Sequence, residues 1–146
     1  MAYTTIDDPE AYFQAKIYSG TGSSQALTFD GDTDMQPDFL WFKVRNSTGT
    51  HAVFDSVRGT TGSVYRRLTP QDNAAEDTAA DTLTTIGSDG FTVISDPNIN
   101  QSGETYVAWC WKESADAGFD IATFTGNGSA QNISHSLSAV PKMVIT

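Results

Sequence analysis

The chain has a single cysteine, Cys110, in 146 residues, which excludes an intrachain disulfide frame and a cysteine-ligated zinc site. Basic residues are scarce as well: 8 Lys plus Arg stand against 18 Asp plus Glu, for a net charge of −10. Nucleic acid is therefore not an expected partner, because a phosphate backbone is held by a basic surface that displaces counterions. The acidity favours solubility and mutual repulsion instead. Long apolar runs are missing, so no membrane span is expected, and the opening MAYTTIDDPEAYFQ has neither the basic start nor the apolar centre of a signal peptide. No window sustains a helical period. A G-x-S-x-G elbow is absent, and so is a nucleophile, base and orienter at workable spacing.

What fills the chain instead is polar and weakly charged. Hydrophobic residues make up 38% and charged residues 18%, so Thr, Ser, Asn, Gln and Gly carry the surface. Short β-branched and aromatic runs alternate with turn residues, which predicts strands near 15–19, 25–29, 39–45, 52–57, 63–68, 82–86, 91–95, 105–112, 120–125, 131–135 and 143–145. The turns between them hold Gly20-Thr-Gly22, Asp30-Gly31, Ser88-Asp-Gly90, Asp96-Pro97 and Gly126-Asn-Gly128. The expected fold is all-β, an antiparallel β-sandwich or jelly-roll-like domain. Thr69 to Asp81 lacks an apolar anchor and reads as a long surface loop, with one helical turn near Ala74 to Thr78.

One stretch occurs twice. Setting Phe13 against Phe119 also pairs Tyr18 with Phe124, Gly20 with Gly126, Gly22 with Gly128 and Gln25 with Gln131. After a short insertion in the first copy, Pro37 pairs with Pro141, and Phe39-Leu-Trp41 with Met143-Val-Ile145. The repeat spans a whole domain rather than a solenoid unit. Residues 119–146 either complete the first domain or begin a second copy of it; the second is the expectation, because one place in a fold cannot be filled twice. The resulting division is an N-terminal arm 1–13, a sandwich 14–112, a linker 113–118 and the start of a second repeat at 119–146. In the arm, Asp8 suits an N-cap and Pro9 the first helical position.

Candidate sites are few. Asp30, Asp32 and Asp34 alternate along one turn and could converge on Ca²⁺, although Met35 and Trp41 stand where an EF-hand loop has its glycine and its acid. His51 and His135 do not correspond in the repeat, and a catalytic role is not expected of either. Asp55, Asp89 and Glu104 are the carboxylates to test for a glycosidase pair. No enzyme activity is expected. Trp41, Trp109 and Trp111 would stack on sugar if exposed, but each sits in an apolar strand and is expected in the core. The glycine pairs lack the helix and the lysine of a phosphate loop.

As a set, Phe54-Asp-Ser-Val-Arg-Gly59, Ser88-Asp-Gly-Phe91, Tyr106-Val-Ala-Trp-Cys-Trp-Lys112 and the repeated Tyr18-x-Gly-x-Gly to Pro37-Asp-Phe-Leu-Trp41 resemble a β-rich domain of tail-fibre-like and other virion structural proteins of tailed, often marine, bacteriophages. The likeness runs over nearly all of residues 12–146 and departs at Cys110 and in the acidic stretch Asp30 to Asp34. It implies a virion structural protein, a tail fibre or surface appendage subunit in assembly and host attachment. It further implies a homo-oligomer, a trimer for a fibre, with the arm docking to other virion proteins. The alternative is a lectin-like carbohydrate-binding module for host surface glycans.

Overall fold

A computed structural model describes residues 6–146 of the chain; residues 1–5 of the expected arm lie outside the described residues. After a 3₁₀ turn at Pro9–Ala11, the strands are β1 Phe13–Ser19, β2 Gln25–Leu27, β3 Phe39–Val44, β4 Ala52–Asp55, β5 Thr60–Thr61, β6 Val64–Tyr65, β7 Leu83–Gly87, β8 Gly90–Val93 and β9 Thr105–Trp111. A four-stranded sheet has the order β1-β9-β3-β4, a three-stranded sheet the order β2-β8-β7, and β5-β6 form a small ribbon. Every strand pair is antiparallel. The fold is all-β, and among the described residues no helix is long and apolar enough to cross a membrane.

The two larger sheets face each other across the core. From the four-stranded sheet come Tyr18, Leu40, Phe42, Val44, Phe54, Tyr106, Ala108 and Cys110; from the other come Leu27, Leu83, Phe91 and Val93. Phe91 bridges the layers, edge-on to Phe42 at 5.2 Å and to Tyr18 at 6.3 Å between ring centroids. Such edge-to-face pairs add to the burial of the rings themselves. Both core tyrosines find partners: the Tyr18 hydroxyl donates to Ile99 O at 2.5 Å and the Tyr106 hydroxyl to Pro97 O at 2.8 Å.

Three sequence expectations are corrected by this arrangement. The central strand β9 turns Tyr106, Ala108 and Cys110 inward, so Trp109 and Trp111 lie half-buried on the outer face with Trp41. The reason is space: Phe42, Phe54, Phe91, Tyr18 and Tyr106 already fill the layer, and the small Ala108 and Cys110 make room for them. Thr69 to Asp81 has no helical turn. Arginines pin it: Arg66 Nη1 lies 2.7 Å from Glu76, Arg58 Nη1 lies 3.1 Å from the same carboxylate, and Arg67 bridges Asp77 and the buried Asp96. Finally, 120–125, 131–135 and 143–145 form no strands, and Val140, Met143, Val144 and Ile145 are each more than two-thirds exposed.

The described part of the arm folds back on its own domain. Asp8 caps the 3₁₀ turn by accepting from Glu10 N, and Lys112 N donates to Tyr12 O. The buried Gln14 holds turn and acidic loop together, donating to Glu10 O and Thr33 O while accepting from Gly31 N.

Candidate functional site

The outer face of the four-stranded sheet gathers most of the aromatic residues that the core leaves out. Registers set Phe13, Trp111 and Phe39 in one row across β1, β9 and β3, with Ala15, Trp109 and Trp41 in the next and Ile17, Val107 and Lys43 in the third. Residues two apart on a strand share a face, so the rows stack into one patch. Trp111 has Phe13 at 4.9 Å and Phe39 at 5.6 Å. The Trp41 indole N–H donates to His51 Nδ1 at 2.8 Å, which leaves the His51 proton on Nε2. Ile17 is 59% and Phe13 41% exposed, a large apolar exposure for a strand.

Phe119 covers one end of this patch. Its ring stacks on Trp111 at 6.3 Å and meets Phe39 at 5.8 Å. The stretch read as a linker is a built turn: Ser114 and Phe119 exchange backbone hydrogen bonds of 2.9 and 3.1 Å, and Gly118 takes the positive φ of 72° that closes it. Asp38, itself buried, accepts from Glu113 N at 2.9 Å, and Glu113 Oε1 accepts from Ile121 N at 3.2 Å. Burial pushes the Glu113 carboxyl above its usual range, and the nearby Asp120 and Asp38 add to the rise. Asp120 is held low, chiefly by the hydroxyl of Ser136.

The other sequence candidates are not brought together. Asp30 holds the ammonium of Lys16 at 2.5 Å, and among the described residues no three metal-capable side chains, Asp30, Asp32 and Asp34 included, form a group that could hold an ion. The loop's backbone is occupied by the 3₁₀ turn instead, with Asp32 N donating to Glu10 Oε2 at 3.0 Å. Asp55 is buried at the end of β4, where it accepts from Val57 N and Arg58 N and pairs with the Arg58 guanidinium. Asp89 lies in the β7–β8 turn and accepts from Met35 N; Glu104 precedes β9. These three carboxylates sit on separate elements, the end of β4, the β7–β8 turn and the loop before β9. His135 lies in the exposed segment past Phe119. Cys110 is buried, and burial raises its thiol well above its ordinary value, which disfavours the thiolate.

Sequence reasoning missed the arginine network and the outward direction of the tryptophans. The first had a signal: Arg58, Arg66 and Arg67 are three of only eight basic residues and face the acidic Glu76-Asp77. The second had none in the strand itself, because β9 is apolar on both faces. A shallow depression of about 290 Å³ beside Phe13 and Ala15, edged by Glu10 and Asp30, adjoins the aromatic patch.

Fold and face together define an antiparallel all-β protein with an aromatic outer sheet face. The chain belongs to the family described as Domain of unknown function (DUF7483), whose model matches residues 8–146, so the family's unit as matched includes the segment from Phe119 onward. No curated protein and no solved structure matches the chain.

Proposed function

We propose that the chain is a structural and attachment module of a bacteriophage particle, a tail fibre or surface appendage subunit that works as a homo-oligomer. The observation that carries the proposal is the aromatic face of Phe39, Trp41, Trp109 and Trp111 on a four-stranded sheet: it is stiff, apolar and half-exposed, and suits contact rather than bond-making. The motifs behind the phage resemblance support it by holding the domain's shape. Within Phe54 to Gly59, Asp55 and Arg58 lock the turn after β4; Ser88 to Phe91 make the β7–β8 hairpin; and Tyr106 to Trp111 form the central strand. Virion localisation and a trimeric fibre belong to the same proposal. Its test is immunogold labelling of purified particles with antibodies raised against the chain. Label at the tail or another appendage is expected, and particles that bind no antibody would overturn it.

The outward tryptophans favour a second reading, a carbohydrate-binding module. Indole rings on a rigid sheet present the flat apolar surface on which a pyranose ring stacks. Titration with host-surface polysaccharide, followed by tryptophan emission, separates the two. A saturable change supports the lectin-like module, and the appearance of reducing ends would reveal an enzyme.

A further inference from the structure

We infer that the aromatic outer face is a contact surface for a second copy of this domain; the inference rests on the homo-oligomeric part of the reading above and names its interface. Charge selects the face. Two copies that each carry −10 repel through most of their surfaces. The outward positions of β1, β3 and β9 (Phe13, Ala15, Ile17, Phe39, Trp41, Lys43, Val107, Trp109 and Trp111) hold no acid and one lysine, and the acid in line with them on β4, Asp55, is buried and neutralised by Arg58. Copies can approach there without opposing carboxylates.

The repeat identifies the occupant. Phe119 holds in the second copy the place of Phe13 in the first, and both rings pack on the same indole, Phe13 at 4.9 Å and Phe119 at 6.3 Å from the Trp111 ring. The residue that opens the fold thus already sits on the face of the preceding copy. Its approach is directed by the Ser114–Phe119 turn and the Glu113–Ile121 hydrogen bond, so the incoming segment arrives in one orientation. A face that receives the start of another copy is a head-to-tail contact, which extends into a row or closes into a ring according to its rotation.

The test is sedimentation equilibrium of the full chain over a wide concentration range, with Ile17→Glu as the variant. Ile17 is 59% exposed in the third row of the face, so a charge there reaches the contact without entering the core. Mass rising with concentration above 15.7 kDa, with association at least tenfold weaker in Ile17→Glu at an unchanged melting temperature, is the expected result. Ala15→Glu, also exposed on β1, serves if Ile17→Glu does not fold. A chain that stays monomeric throughout overturns the inference, as does association indifferent to both variants. So does a monomer whose tryptophan emission responds to polysaccharide, which hands the face to a glycan. None of these results alters whether antibodies label the particle, so the appendage reading stands or falls separately.

Discussion

Gly20 and Gly126 occupy matching places in the repeat, yet alanine at the two positions should have very different effects. A Cβ on Gly20 would lie 2.1 Å from Gln101 O and 2.9 Å from the Tyr106 ring. Neither neighbour is free to retreat. Gln101 N donates to the Tyr106 hydroxyl at 2.9 Å, and that hydroxyl donates on to Pro97 O. The loop is further tied by Gly20 N to Glu104 O, Gly22 N to Asn100 O and Thr21 N to Asn100 Oδ1, all between 2.8 and 2.9 Å. Relieving the overlap needs a shift of about 1 Å, enough to break two of these bonds at about 1 kcal/mol each. The fully buried Asn100 then loses partners, for about 1 to 3 kcal/mol more. Gly20→Ala should therefore cost about 3 to 5 kcal/mol, a fall of roughly 10 to 20 °C in Tm for a domain of this size. At Gly126 a Cβ meets nothing within 4 Å, so Gly126→Ala should stay within about 0.5 kcal/mol of the parent. Differential scanning calorimetry of both variants decides it. A fall of less than about 3 °C for Gly20→Ala, or equal falls for the two, would refute the packing account of this loop.

Trp109→Ala should cost less than Phe42→Ala, because Trp109 is half-buried on the outer face whereas Phe42 is fully buried between rings; about 3 to 5 kcal/mol is expected for Phe42 by urea unfolding, and clearly less for Trp109. The loop 69–81 should loosen in acid. Burial raises Glu76 and Asp77, but hydrogen bonds from Arg66 and Arg58 to the one and from Arg67 to the other outweigh it, holding both below their ordinary values of 4.5 and 3.8. Their contribution is thus present above those values and lost as pH falls through the lower folded ones, seen as faster proteolysis of the loop near pH 3. Glu113 has the opposite sign: its raised carboxyl stabilises below the ordinary 4.5, and that contribution is lost as pH rises through the folded value. Glu113→Gln, which keeps the acceptor for Ile121 N, should raise Tm at pH 7 and flatten its pH dependence; an unchanged profile would mean that the carboxyl is not under strain. A chain ending at Gly118 should melt within about 5 °C of the full chain, since residues 122–136 are exposed throughout; loss of cooperative melting would make the segment an integral part of the sandwich.

Local order was legible without coordinates. Alternation of apolar residues and the placement of Gly, Asp and Pro located β1 to β4 and β7 to β9 within a few residues, because strand and turn preferences act on neighbours in sequence. The G-x-G pair shows both the reach of such reasoning and its limit. Gly22 and Gly128 share a positive φ, 68° and 74°, which the turn imposes locally in both copies. Only Gly20 is crowded, because Gln101 and Tyr106 close over it from 80 residues or more along the chain, and no such residues meet Gly126.

The direction of β9 was a tertiary decision. Its sequence is apolar on both faces, so parity alone could not say which side turned inward. The paired strands face the same way, with Gln14 and Tyr18 on β1 and Leu40 and Phe42 on β3 facing inward beside Cys110, Tyr106 and Ala108, and the rings of Phe54 and Phe91 from further elements fill the space opposite them. The acidic loop told the same story in charge, since Glu76 and Asp77 acquire arginine partners only when the ribbon folds over them. By itself the sequence determined where β1 to β4 and β7 to β9 lie, where the chain turns between them and that the protein is acidic and all-β, while the strands it also suggested past Phe119 do not form. Tertiary structure decided which face is core and which is outer surface, and so placed three tryptophans half-buried on the outer face rather than in the core, because burial depends on what lies opposite a strand rather than on what lies along it.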